Sequence, residues 1–177
     1  MVAPDRWLQH LVNHFQLTYM ATINQLCETG SLISLGGGLD VNEQPQRLLF
    51  ALPHVVEWLD QVLPDLDADF HEGKQDPLEQ ADDLFYDFVS GNDFSYWERS
   101  HSMRPTDPGV WELKTPDLRL FGWFAAKGVF IIAEINTAFA CKQHNLYPGY
   151  RGSVVRRRDA LDLDEPKFIV GEYEDVL

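Results

Sequence analysis

Arg119, Lys142, His144 and Arg151 are the side chains in this sequence whose types could do chemistry together. The chemistry they suit is cleavage of a ribose phosphodiester without a metal ion. Such a reaction needs a base for the 2′-hydroxyl, cations for the charge that builds on the phosphorane, and an acid for the leaving oxygen. Tyr147 and Tyr150 lie in the same stretch and could add a phenol. Aromatic residues on a sheet could also stack exposed bases. A plainer reading competes: Arg119 pairs with Glu134, and Arg156, Arg157 and Arg158 form a solvated helix face.

Other chemistries are poorly supported. There is no G-x-S-x-G, and Cys141 has lysine and histidine beside it only in sequence. His10 and His14 share a helix face but lack a third ligand, so structural or exposed histidines are expected. Asp65, Asp67 and Asp69 have the spacing that begins a calcium loop. Phe70 and Asp76 stand where such a loop needs glycine and glutamate, so a solvated acidic loop is expected. Asp82, Asp83 and Asp87 read as DDxxxD, as in magnesium–diphosphate sites, yet a solvated acidic face is the expectation. Gly36-Gly37-Gly38 lacks the following Lys-Ser/Thr of a phosphate loop. No cofactor and no metal are expected.

The elements that must position the four residues centre on Gly109 to Phe139. Three antiparallel strands are expected over roughly 110–115, 118–124 and 129–138. Thr115-Pro116-Asp117 is a turn, because proline presets φ and aspartate tolerates turn geometry. Ala126-Lys127-Gly128 is a second turn, with Gly128 free to take positive φ. A Pro116-Asp117 loop pairs Lys114 with Arg119 and Glu112 with Phe121. An Ala126-Lys127 tip sets Arg119 opposite Glu134. The expected face is then a charged row of Lys114, Arg119 and Glu134 beside Phe121, Trp123 and Phe130. Leu113, Leu118, Leu120, Ile131, Ala133 and Ile135 floor a core on the other side. A one-residue slip would invert these faces.

Outside the meander, a helix is expected over 4–27, with Gly30 as its stop, and short strands over 31–35 and 47–52. A helix follows from Pro53 to about Leu63, with Val55, Val56, Leu59 and Val62 inward. Asp76-Pro77-Leu78-Glu79 caps another that runs to about Val89 and buries Leu78, Ala81, Leu84, Phe85 and Phe88. Residues 91–108 read as a polar loop. Ser153 caps a short helix to about Leu161, 167–172 is a last strand, and the acidic tail frays. The fold expected is α+β: a mainly antiparallel sheet, the meander plus edge strands, packed with N-terminal helices. The length of 177 residues fits a single domain. Residues 1–46 are its helical N-terminal extension and 47–172 its core.

Charge is segregated. The chain carries a net −14, but residues 99–158 hold 10 basic and 4 acidic side chains. The net value argues against a polyanion partner and this segment argues for a local one. RNA or the ribosome is the expected partner of the basic segment. The acidic helices could instead meet a basic protein. No apolar run approaches the roughly 20 residues that cross a bilayer. The two cysteines have no metal spacing, no Asn-x-Ser/Thr occurs, and the N-terminus does not read as a secretory signal. A reduced, cytoplasmic protein without a membrane partner is expected.

The stretch GVWELKTPDLRLFGWF followed by FACKQH resembles the RelE/HigB-like toxin superfamily, closest to its phage-derived, host-killing branch. Trp111-Glu112-Leu113, Arg119 and Phe139-Ala140-Cys141-Lys142 match a W-E-L strand, an arginine early in the next strand, and a basic pair after a phenylalanine. The likeness spans about 47–145 and is specific only in 109–142. It implies a small α+β fold, metal-independent cleavage of messenger RNA on the ribosome, and restraint by a protein antitoxin. The sequence departs from the pattern in four ways, the first being that the N-terminal 46 residues and the ending from about 146 are unlike the compact family members. Cys141 replaces one of the basic pair, Glu134 stands in the sheet, and the chain is acidic overall. A non-catalytic acidic binding protein on the same scaffold is the alternative expectation.

Overall fold

Alternating apolar residues in the meander build the centre of a six-stranded sheet. The structure is a computed structural model that describes residues 22–67, 75–93, 100–103 and 108–177. The strands are β1 (Ile33–Leu35), β2 (Leu48–Ala51), β3 (Ser100–Ser102), β4 (Trp111–Lys114), β5 (Leu118–Ala126) and β6 (Val129–Thr137). Their spatial order is β1-β2-β6-β5-β4-β3. Every neighbouring pair is antiparallel except β2 and β6, which run parallel. The sheet is therefore mixed, mainly antiparallel, and more than a meander with edge strands. A parallel neighbour needs a crossover, and β2 reaches β6 through helices and the whole meander.

The helices are α1 (over 22–28 as described), α2 (Pro53–Gln61), α3 (Pro77–Ser90), α4 (Ala138–Gln143), α5 (Tyr147–Ala160) and α6 (Tyr173–Val176). A 3₁₀ turn, Leu63–Asp65, follows α2. The expected helix of 4–27 is described only from residue 22, and His10 and His14 lie outside the described residues. So do Asp69, Phe70, Trp97, Arg99 and Arg104. The strand expected over 31–35 is present as β1, which pairs with β2.

The caps of α3 follow the sequence. Asp76 accepts a hydrogen bond from the Glu79 backbone N–H at 2.8 Å, Pro77 opens the helix, and Gly91 closes it at φ 84°. Phe88 from its inner face meets Phe124 and Phe130, and Trp111 meets Phe124 edge-on at 5.3 Å. On the opposite sheet face, Tyr150 of α5 stacks on Phe121 at 5.1 Å and Tyr147 meets it edge-on. Both faces of the central sheet are thus covered by helices.

Two bulges correct the expected register. The β4–β5 pairing is as expected, with Lys114 opposite Arg119 and Glu112 opposite Phe121. Between β5 and β6, Ala126 pairs with Val129, so the turn tip is Lys127-Gly128, with Gly128 at φ 69°. Ala125 and Ala133 then fall out of the ladder, at shifts between Phe124 and Ala126 and between Phe121 and Gly122. Each extra residue reverses the alternation locally. Arg119 consequently faces Asn136, and Glu134 faces Phe121. Trp123 shares a face with Phe121, while Phe130 crosses to join Phe124.

Other expectations fail for identifiable reasons. Val62 and Leu78 are 38% and 41% exposed, because each sits at a helix end that turns past the core. Residues 91–108 include β3, whose three residues pair with β4. Residues 167–172 form no strand; Ile169 donates one backbone bond to Phe124 O at 2.9 Å. The tail is anchored, with Val176 fully buried and its carbonyl accepting from Gly128 N at 2.8 Å. Helix α5 begins six residues before Ser153, with Pro148 in its first turn.

Candidate functional site

The W-E-L strand and the arginine of β5 meet, but inside the fold. Glu112 and Arg119 occupy the same sheet face, one cross-strand step apart on the diagonal, where long side chains touch. Arg119 Nε lies 3.2 Å from Glu112 Oε1, and the two residues are 8% and 6% exposed. Arg119 Nη1 donates to Thr115 O at 2.6 Å and to Leu118 O at 2.7 Å. The guanidinium therefore braces the β4–β5 turn.

The other three expected residues lie on the helices after β6. Lys142 is exposed in the last turn of α4, His144 is exposed at its C-cap, and Arg151 is half-buried on α5. Arg119 lines a cavity of about 370 Å³ whose other walls are Gln75, Gln80, Asp83, Lys114, Thr115 and Pro116. None of Lys142, His144 and Arg151 lines it. The four residues do not converge on that cavity.

The two phenols of the region turn inward. Tyr150 accepts a hydrogen bond from Asn136 Nδ2 at 2.7 Å, and burial raises its hydroxyl above the usual phenol range, the Asn136 bond opposing the shift. Cys141 is fully buried, and burial pushes its thiol up to about 11, which Arg119 offsets in part and Glu112 reinforces. A thiol held neutral at physiological pH is a poor nucleophile. Neither Cys27 nor Cys141 is in a disulfide.

Glu134 serves a different cluster from the one its sequence position suggests. Its Oε1 accepts from Ser153 Oγ and from Arg157 Nε at 2.6 Å. His54 Nε2 lies 3.7 Å from Oε2 and 2.8 Å from Ala133 O, the carbonyl of the bulged residue. A carbonyl only accepts, so Nε2 carries the proton. The Ser153 hydroxyl points at a carboxylate and not at the imidazole, which is the wrong order for an activated serine.

Gln80 was not legible as functional, yet it organises the cavity. Its Nε2 donates to Gln75 O at 3.0 Å and to Asp117 Oδ2 at 2.6 Å. Its Oε1 accepts from Thr115 Oγ1 at 2.8 Å and from Asp117 N at 3.0 Å. Gln80 is 6% and Asp117 4% exposed. The signal was present: Gln80 lies beside Ala81, four residues before Leu84 and eight before Phe88, on the inward stripe of α3. A polar residue there must find buried partners.

Among the described residues no group of three or more His, Cys, Asp or Glu could hold a metal ion. No described helix is long and apolar enough to cross a membrane. A scan of protein-family models, a search of curated proteins and a search of solved structures each match nothing to this chain.

Proposed function

We propose that this chain is a non-catalytic acidic binding protein whose partner is a basic protein. The observation that supports this most is how charge is divided by the fold. Three cations of the basic segment are engaged within the fold: Arg119 with Glu112, Arg157 with Glu134, and Arg158 at 3.7 Å over the Phe168 ring. Carboxylates of α2 and α3 turn outward. Glu57, Asp60, Glu79, Asp82 and Asp83 are all exposed. Between residues 48 and 93 the sequence has one basic side chain, Lys74, against 12 acidic ones. A surface of one sign steers a partner of the other.

The test is titration of the purified chain with a polylysine peptide at increasing salt. Saturable binding that weakens steeply between about 50 and about 300 mM salt supports the reading. Asp82→Lys with Asp83→Lys should weaken it further. Absence of binding at low salt contradicts it.

The RelE-like toxin reading is the second proposal, with cleavage of RNA on the ribosome and restraint by an antitoxin. Its support is that Lys142 and His144 are exposed on α4, with the exposed Arg156 carried by the next helix. Growth arrest on expression, and messenger cleavage lost in Lys142→Ala and His144→Ala with folding intact, would establish it. A chain that leaves translating ribosomes and growth unaffected excludes it.

A further inference from the structure

We propose that the cavity between the start of α3 and the β4–β5 turn binds a small zwitterion of the α-amino acid class. This goes beyond the binding reading above and does not depend on it. The cavity volume of about 370 Å³ is at the small end of ligand sites, enough for one small molecule.

Much of the frame of the cavity is already hydrogen-bonded. Both ends of the Gln80 amide are engaged, and Thr115 Oγ1 donates to Gln80 while accepting from Leu118 N at 3.0 Å. These walls are fixed before any ligand arrives, which lowers the cost of binding. Two lining side chains, Arg119 and Asp83, keep an atom for a ligand. Arg119 has Nη1 on two carbonyls and Nε beside Glu112, and its Nη2 meets no acceptor among the described residues. Nη2 is thus the edge of the guanidinium left for a ligand in the cavity that Arg119 lines. The exposed Asp83 carboxylate also lines the cavity. Its Oδ2 accepts from Gln75 Nε2 at 2.5 Å, and its Oδ1 meets no donor among the described residues.

A ligand carboxylate fits Arg119, and a ligand ammonium fits Asp83. An anion such as a phosphate monoester would satisfy Arg119 and be repelled by Asp83. It would also approach a chain of net charge −14, whereas a zwitterion carries no net charge to be repelled.

The experiment is calorimetric titration of the full chain with the common α-amino acids. For any that binds, its carboxylate-only and amine-only analogues follow, and inorganic phosphate serves as the anion control. At least one amino acid should bind saturably, with each analogue at least about tenfold weaker, the loss of one charge-assisted hydrogen bond. Asp83→Asn, on an exposed side chain, should keep the wild-type circular dichroism spectrum and bind the amino acid and its carboxylate-only analogue alike. No saturable binding of any amino acid up to about 10 mM overturns the proposal. So does phosphate or the carboxylate-only analogue binding as tightly as the amino acid, or an Asp83→Asn chain that still discriminates between the two.

Discussion

Arg119 and Glu112 are counter-ions inside the fold, 3.2 Å apart and each more than nine-tenths buried. A cation with two carbonyls and a carboxylate around it is held for the β4–β5 turn. Arg119 also lines the cavity beside α3.

Gln80 links that turn to α3, and its removal should be costly. Gln80→Leu keeps the volume but strips Asp117 and Thr115 of their partner. A buried polar group left without one costs about 1–3 kcal/mol, and a carboxylate more. We expect Gln80→Leu to lower the free energy of urea unfolding by about 3 kcal/mol. Asp82→Asn, exposed on the same helix, should stay within about 0.5 kcal/mol of wild type.

Cys141 gives the protein an alkaline limit. Its folded-state thiol titrates at about 11, above the ordinary thiol value of 9.0. As pH rises through the unfolded value, the unfolded chain loses its proton first, so ionisation favours unfolding. The stabilising effect is complete below about pH 9 and is lost progressively as pH rises through 11, by at most about 3 kcal/mol. Unfolding at several pH values should show this decline, and Cys141→Ala should flatten that part of it. Iodoacetamide should label Cys141 slowly in the native chain.

Val176 pins the C-terminal helix. Its side chain is fully buried, and its carbonyl holds the Gly128 amide at the β5–β6 turn. Val176→Ala removes two buried methyl groups and leaves a cavity, at a cost of about 2 kcal/mol. The equivalent change at the exposed Val170 should be near neutral in the same unfolding assay.

The outcome at Val176 bears on what could be read from sequence. The acidic run Glu172–Asp175 looks like a solvated tail, because composition does not report a single apolar anchor among charges. Strands β4, β5 and β6, the cap of α3 and the pairing of Lys114 with Arg119 were all legible, since they follow from alternation and turn chemistry. The partner of Arg119 was not. Two bulges, at Ala125 and Ala133, shift the β5–β6 register, and neither residue type marks a bulge. That shift sends Glu134 to Ser153 and Arg157 and leaves Glu112 for Arg119. The parallel pairing of β2 with β6 is long-range and carries no local signature. Strand β3 is only three residues long, too short for alternation to show.

The most direct test of this account is the unfolding free energy of Arg119→Ala. Removing one member of a buried ion pair strands the other, at a cost of about 3–5 kcal/mol. We predict a loss of that size in urea unfolding, together with a shift of the Cys141 thiol further upward as its neighbouring cation disappears. A variant as stable as wild type would contradict the account, because Arg119 would then be free of the structural role assigned to it and available for chemistry.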